Sequence, residues 1–121
     1  VSFCVKQKPS NESIAVEHET VVQNGSELSK ILEMLNFSPV LVIKKKRQVY
    51  RLGELSICAD EVEKLGVFIE VEQLITDESQ TTQVLENLWQ FLQQLGVSDA
   101  NRVTKGYDSL IYKLQQEQNE L

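Results

Sequence analysis

Apolar and polar residues alternate one by one at the start of the chain. From Val1 to Gln7, Val1, Phe3 and Val5 fall on one side and Ser2, Cys4 and Lys6 on the other. A period of two is the side-chain period of a β-strand with unlike faces. Pro9, Ser10 and Asn11 signal a turn. Alternation resumes from Ser13 to Val22, with Ile14, Val16, His18 and Thr20 on one face and Ala15, Glu17 and Glu19 on the other. Asn24-Gly25-Ser26 interrupts it, and Ser26 is the expected helix N-cap. Leu28, Ile31, Leu32 and Leu35 then repeat at helical spacing, and Pro39 closes the unit.

The period returns to two from Val40 to Leu52, a long predicted strand with Leu41, Ile43, Lys45 and Arg47 on one side. Val49 would continue that face, and the pattern leaves room for a bulge or strong twist near Gln48. Leu52-Gly53-Glu54 is a tight turn. Leu55, Ile57 and Ala59 then alternate with Ser56, Cys58 and Asp60. After a turn at Glu63 to Gly66, Val67, Ile69 and Val71 alternate with Phe68, Glu70 and Glu72. Two helices follow. One spans about Ser79 to Leu95 with a stripe of Val84, Leu85, Leu88, Leu92 and Leu95, stopped by Gly96. The other carries Tyr107, Leu110, Ile111 and Leu114, and the polar residues Gln115 to Leu121 read as a fraying tail. The pattern predicts an antiparallel α+β fold in a single domain, 1–121, with no internal repeat or linker.

Composition limits the function classes. The 121 residues are 41% hydrophobic and 25% charged, enough apolar material for a core. Twelve Lys+Arg against 18 Asp+Glu give a net charge of −6, which argues against a nucleic-acid partner. The run Lys44-Lys45-Lys46-Arg47 does not alter this, because alternation puts Lys44 and Lys46 opposite Lys45 and Arg47. No apolar run reaches bilayer length, so no membrane partner is expected. Cys4 and Cys58 make no disulfide scaffold, which points to a reducing, cytoplasmic setting. The glycines stand apart, so there is no phosphate-binding loop, and one histidine supports no Ser/His/Asp set. His18 falls on an apolar strand face and reads as a packed residue. Trp89 and Phe91 read as helix packing; left exposed, they would mark a subunit contact in a homodimer. The chain opens as a strand without an initiator Met, so an N-terminal portion is expected before Val1.

Candidate chemistry lies on the charged strand faces: Lys6, Glu17 and Glu19, Lys45 and Arg47, Asp60, Glu70 and Glu72. A sheet with one solvated face explains such a pattern. The alternative is a curved sheet with helices outside and charges lining a tunnel, since interior and exterior residues alternate along barrel strands. Such a cavity suits a polyphosphate with metal: Arg and Lys bind phosphate oxygens, and carboxylates hold Mg²⁺ or Mn²⁺.

Several segments, in order, resemble one family. They are Val5-Lys6-Gln7, Glu17-His18-Glu19-Thr20, Ile43-x-Lys45-x-Arg47-x-x-Tyr50, the stretch from Ile57 through Asp60 and Gly66 to Glu72, and Thr104-Lys105-Gly106-Tyr107-Asp108-Ser109-Leu110. Together they are similar to the CYTH superfamily, the triphosphate tunnel metalloenzymes that include class IV adenylate cyclases and thiamine triphosphatases. The resemblance implies an antiparallel β-barrel with helices packed outside. It implies that Lys6, Lys45 and Arg47 bind the triphosphate, and that Asp60 and Glu70 are acidic catalytic residues. Glu70, Glu72, Glu19 and Glu17 are the implied metal positions, with Mg²⁺ or Mn²⁺ as cofactor. The family's Glu-x-Glu-x-Lys signature is absent, and the first strands are expected upstream of Val1. The implied activity of the intact protein is ATP conversion to cyclic AMP and pyrophosphate. The alternatives are hydrolysis of thiamine triphosphate, a nucleoside triphosphate or tripolyphosphate, and triphosphate binding without turnover. The chain alone is expected to be inactive.

Overall fold

The computed structural model describes residues 1–8 and 13–119, so the expected turn at Pro9, Ser10 and Asn11 lies outside the described residues. The fold divides into two compact units, Val1–Val42 and Ile43–Leu121.

In the first unit, β1 (Ser2–Gln7) pairs antiparallel with β2 (Val16–Val21). The register sets Lys6 opposite Glu17 and Cys4 opposite Glu19, with Val5 opposite His18 on the other face. His18 is exposed, not packed, because that face is uncovered within the unit: Val5 and Val16 are 54% and 46% exposed. Helix α1 (Gly25–Met34) is capped by Asn24 rather than Ser26. Asn24 is extended, and its Oδ1 accepts from the Glu27 N–H at 3.1 Å, whereas Ser26 already lies in the first turn and donates to the same oxygen at 3.0 Å. The helix ends in a Schellman motif, with Asn36 and Phe37 N–H groups bonded to Glu33 and Leu32 carbonyls and Asn36 at φ 70°.

The second unit is built on β3 (Lys45–Leu52), β4 (Leu55–Val62) and β5 (Gly66–Gln73), antiparallel in that order. Strand β3 is shorter than its sequence pattern. Val62 ends β4 opposite Lys45, so residues 40–44 have no ladder partner among the described residues, and the pairing finishes with Glu63 N–H bonded to the Lys44 carbonyl at 2.9 Å. Pairing is one-to-one from Lys45–Val62 to Leu52–Leu55, with no bulge near Gln48. Val49 therefore shares the face of Lys45 and Arg47. The β3–β4 turn needs Gly53, whose φ of +58° is costly for other residues.

A 3₁₀ turn, Glu78–Gln80, is capped by Asp77 and leads into α2 (Thr81–Gln94), which packs on β5. Gly96, at φ +97°, closes α2 in a second Schellman motif. Helix α3 (Tyr107–Asn119) is anchored by Ile111, 2% exposed. Its backbone stays helical through residues 115–119, which polarity reads as tail.

The fold is thus mixed α and β with antiparallel sheets. The two- and three-stranded ladders are separate, and no closed barrel is formed among the described residues. In the larger sheet burial falls on the unexpected face. Val62, Cys58 and Asp60, all on one face of central β4, are 2%, 3% and 1% exposed. On the apolar face, Ile57, Ala59 and Val71 are half-buried, while Val67 and Ile69 are 78% and 46% exposed. The helices therefore do not simply cover the apolar side and leave the charged side open.

Candidate functional site

Antiparallel register decides which charges meet. Arg47 on β3 stands opposite Asp60 on β4, which stands opposite Phe68 on β5. Val49, Cys58 and Glu70 form the next row, and Arg51, Ser56 and Glu72 the one after. Lys45, Arg47, Asp60, Glu70 and Glu72 consequently share one face, as alternation predicts.

Arg47 grips Asp60 with two parallel hydrogen bonds, Nε to Oδ1 and Nη2 to Oδ2, each 2.7 Å. Nη2 also donates to Glu70 Oε2 at 3.0 Å. Bidentate guanidinium–carboxylate pairs are short, directional and strong. The Asp60 side chain is 0% exposed, that of Arg47 28% and that of Glu70 42%, so the network runs from a buried anchor to a half-exposed rim. Tyr107, the first residue of α3, donates its hydroxyl to Asp60 Oδ2 at 2.7 Å. Its ring tilts at 54° against Phe68, centroids 5.2 Å apart, and Lys45 Nζ sits 5.3 Å from its centre.

The electrostatics follow from these contacts. The Arg47 hydrogen bonds, helped by that of Tyr107, hold the Asp60 carboxyl below its ordinary range against the opposing effect of burial. The bond to Asp60 pushes the Arg47 guanidinium up, so it stays charged. Burial, then the bond to Asp60, pushes the Tyr107 phenol up and keeps it a donor. Burial also pushes up the Cys58 thiol, which fits an unreactive core position.

Asp60 gives a pH prediction. Its folded value lies below the unfolded one of about 3.9. Its ion pair therefore contributes stability above about pH 4, and the contribution is lost as pH falls through the depressed folded value. Urea midpoints should show wild type above Asp60→Asn by a constant margin from neutral pH to about pH 4, narrowing below. A margin unchanged into stronger acid would overturn the assignment.

The remaining predicted residues lie in the first unit. Lys6 Nζ is 3.3 Å from Glu17 Oε1, and Glu19 Oε1 accepts from the Ser2 hydroxyl at 2.9 Å. Among the described residues, no group of three or more His, Cys, Asp or Glu side chains is placed to hold a metal. In the second unit, Asp60 and Glu70 are already bonded to Arg47. Among the described residues they do not by themselves form a metal cage. Lys46 stands opposite Glu61 on the other face, which splits the basic run as expected. Trp89 is half-buried with the Arg102 guanidinium 4.4 Å above its ring. The pattern missed Tyr107, because an aromatic on an apolar helical stripe reads as packing; the only signal was its place in the segment Thr104 to Leu110.

A family model described as "CYTH domain" matches residues 4–107, and the chain belongs to that family, which generally uses divalent metals. The protein named "Putative adenylate cyclase MJ0240" of Methanocaldococcus jannaschii is 32% identical over 91 residues, 75% of this chain and 52% of that one. Adenylate cyclase CyaB of Aeromonas hydrophila is 27% identical over 89 residues, 74% and 47% of the two chains. The chain spans about half the length of these curated relatives. The solved structure of the PH1819 protein from Pyrococcus horikoshii matches with a TM-score of 0.86 at 28% identity, over 93% of this chain and 64% of that one. A conserved hypothetical protein from Pyrococcus furiosus shares the fold, with a TM-score of 0.76 at 22% identity over 88% and 64% of the two chains. No helix among the described residues is long and apolar enough to cross a membrane.

Proposed function

We propose that the domain binds the triphosphate of ATP and is part of a class IV adenylate cyclase-like enzyme. One observation carries this reading: Arg47 is fixed in a bidentate pair on a buried carboxylate, on the same sheet face as Lys45. An arginine needed only for solubility does not require a buried anchor. Lys45, Arg47 and Lys6 are the proposed phosphate-binding groups. Asp60 orients Arg47, and Glu70, Glu72, Glu17 and Glu19 are the proposed sources of metal ligands for Mg²⁺ or Mn²⁺. A tunnel barrel is part of the same proposal, as are ATP as substrate and a cytoplasmic setting.

In cyclase chemistry the ribose 3′-oxygen bonds to the α-phosphorus. The bond from the α-phosphorus to the bridging oxygen breaks, pyrophosphate leaves, and the hydroxyl proton is released. The chain's cations would position the phosphates and offset charge on the departing group. The names of the two cyclase relatives favour this reaction over hydrolysis.

Because no three metal-ligating side chains gather among the described residues, the 121-residue chain should bind tripolyphosphate without turning ATP over. Calorimetry with tripolyphosphate, and product analysis after incubation with ATP and Mn²⁺, test both statements. Cyclic AMP or phosphate released by the chain alone would refute an incomplete site. Failure to bind tripolyphosphate would refute the binding reading. In a longer protein carrying the domain, phosphate without cyclic AMP would replace the cyclase by a triphosphatase.

A further inference from the structure

Tyr107 makes three contacts within the charged face, one through its hydroxyl and two through its ring. Its hydroxyl bonds the same Asp60 oxygen that Arg47 Nη2 holds. One ring contact is to Lys45 Nζ, a cation over a π face. The other is to Phe68, the residue directly opposite Asp60 in the ladder. Phe68 fixes the ring, and Asp60 fixes the hydroxyl.

Lys45 and Arg47 are two residues apart on one face of β3. Both carry long side chains with many rotamers, and fixing them when an anion arrives opposes binding. Contacts that hold them beforehand remove part of that cost. Asp60 does so for Arg47. It is buried, and Tyr107 supplies a hydrogen bond that Arg47 does not.

We infer that Tyr107 is a positioning residue for both cations of β3, holding Arg47 through the Asp60 carboxylate and seating the Lys45 ammonium on its ring. It touches no phosphate in this role. The inference rests on the triphosphate reading above and adds a determinant on α3, well outside the strands that carry the charges. It also separates two arms. Tyr107→Phe keeps the ring under Lys45 and removes the hydrogen bond to Asp60. Tyr107→Leu removes both.

Tripolyphosphate binding to the full 121-residue chain is the test, with folding of each variant confirmed by circular dichroism. Tyr107→Phe should bind about threefold to tenfold more weakly than wild type. Tyr107→Leu should lose about a further threefold. In a Lys45→Ala background, exchanging Phe for Leu at position 107 should cost nothing more. A merely structural role for the ring predicts the same loss with or without Lys45. If wild type binds and Tyr107→Phe binds equally well, the inference is overturned while the binding reading stands.

If wild type does not bind, the anion reading falls, and positioning of Arg47 is judged without ligand. The Arg47 Nε–H should exchange slowly in wild type and faster in Tyr107→Phe by NMR. Equal exchange in the two proteins overturns the inference on that ground.

Discussion

Arg47→Ala should lower the stability of the Ile43–Leu121 unit by about 3–5 kcal/mol, an effect separate from any loss of anion binding. The magnitude turns on where the partner sits. A surface ion pair is worth about 0–1 kcal/mol, since water solvates whichever charge is left. Asp60 is 1% exposed, so removing the guanidinium leaves a carboxylate that water cannot reach, with the Tyr107 hydroxyl as its remaining donor. Asp60→Asn should cost less, because it removes the buried charge together with the pair. The double variant Arg47→Ala/Asp60→Asn should be more stable than the sum of the two single losses predicts. Urea unfolding at neutral pH measures all three. The Arg47→Ala penalty should also shrink in acid, where protonation of Asp60 removes the unpaired charge. A neutral-pH loss below about 1 kcal/mol would show that the pair behaves as a surface contact.

Much of this was legible in local pattern. Alternation put Lys45 and Arg47 on one face and Asp60, Glu70 and Glu72 on the matching faces of their strands, because side-chain direction along a strand is a local property. Helical spacing located α1, α2 and α3 for the same reason. Long-range facts were not legible. Nothing near residues 40–44 says that β4 ends opposite Lys45; strand length there is set by a partner 17 residues away. Choosing Asn24 over Ser26 as cap depends on the backbone angle of Asn24, and both residue types cap well. Above all, periodicity assigned the core to the apolar face of the sheet. Burial instead includes Asp60, which accepts the hydroxyl of Tyr107, 47 residues further on, while the Tyr107 ring packs on Phe68. The ordered segments of family resemblance grouped Lys45, Arg47, Asp60 and Glu70 without specifying the register, and the register sets the four on one sheet face.

Glu70 should show the opposite signature to Arg47. Its side chain is 42% exposed and shares Arg47 Nη2 with Asp60, so it lies at the rim of the network. Glu70→Ala leaves the bidentate Arg47–Asp60 pair intact, and no charge becomes buried without a partner. Unfolding free energy should change by no more than about 1 kcal/mol. Turnover is another matter. In a longer protein carrying this domain, Glu70 is the proposed metal position on β5, and its removal should lower cyclic AMP formation about 100-fold or more. Glu70→Gln sharpens the argument, since it keeps an acceptor for Arg47 and removes only the negative charge. If charge is what the reaction needs, Gln should be nearly as inactive as Ala at unchanged stability. If Glu70 merely braces Arg47, Gln should restore most of the activity. Near-normal turnover in both variants would remove Glu70 from the mechanism.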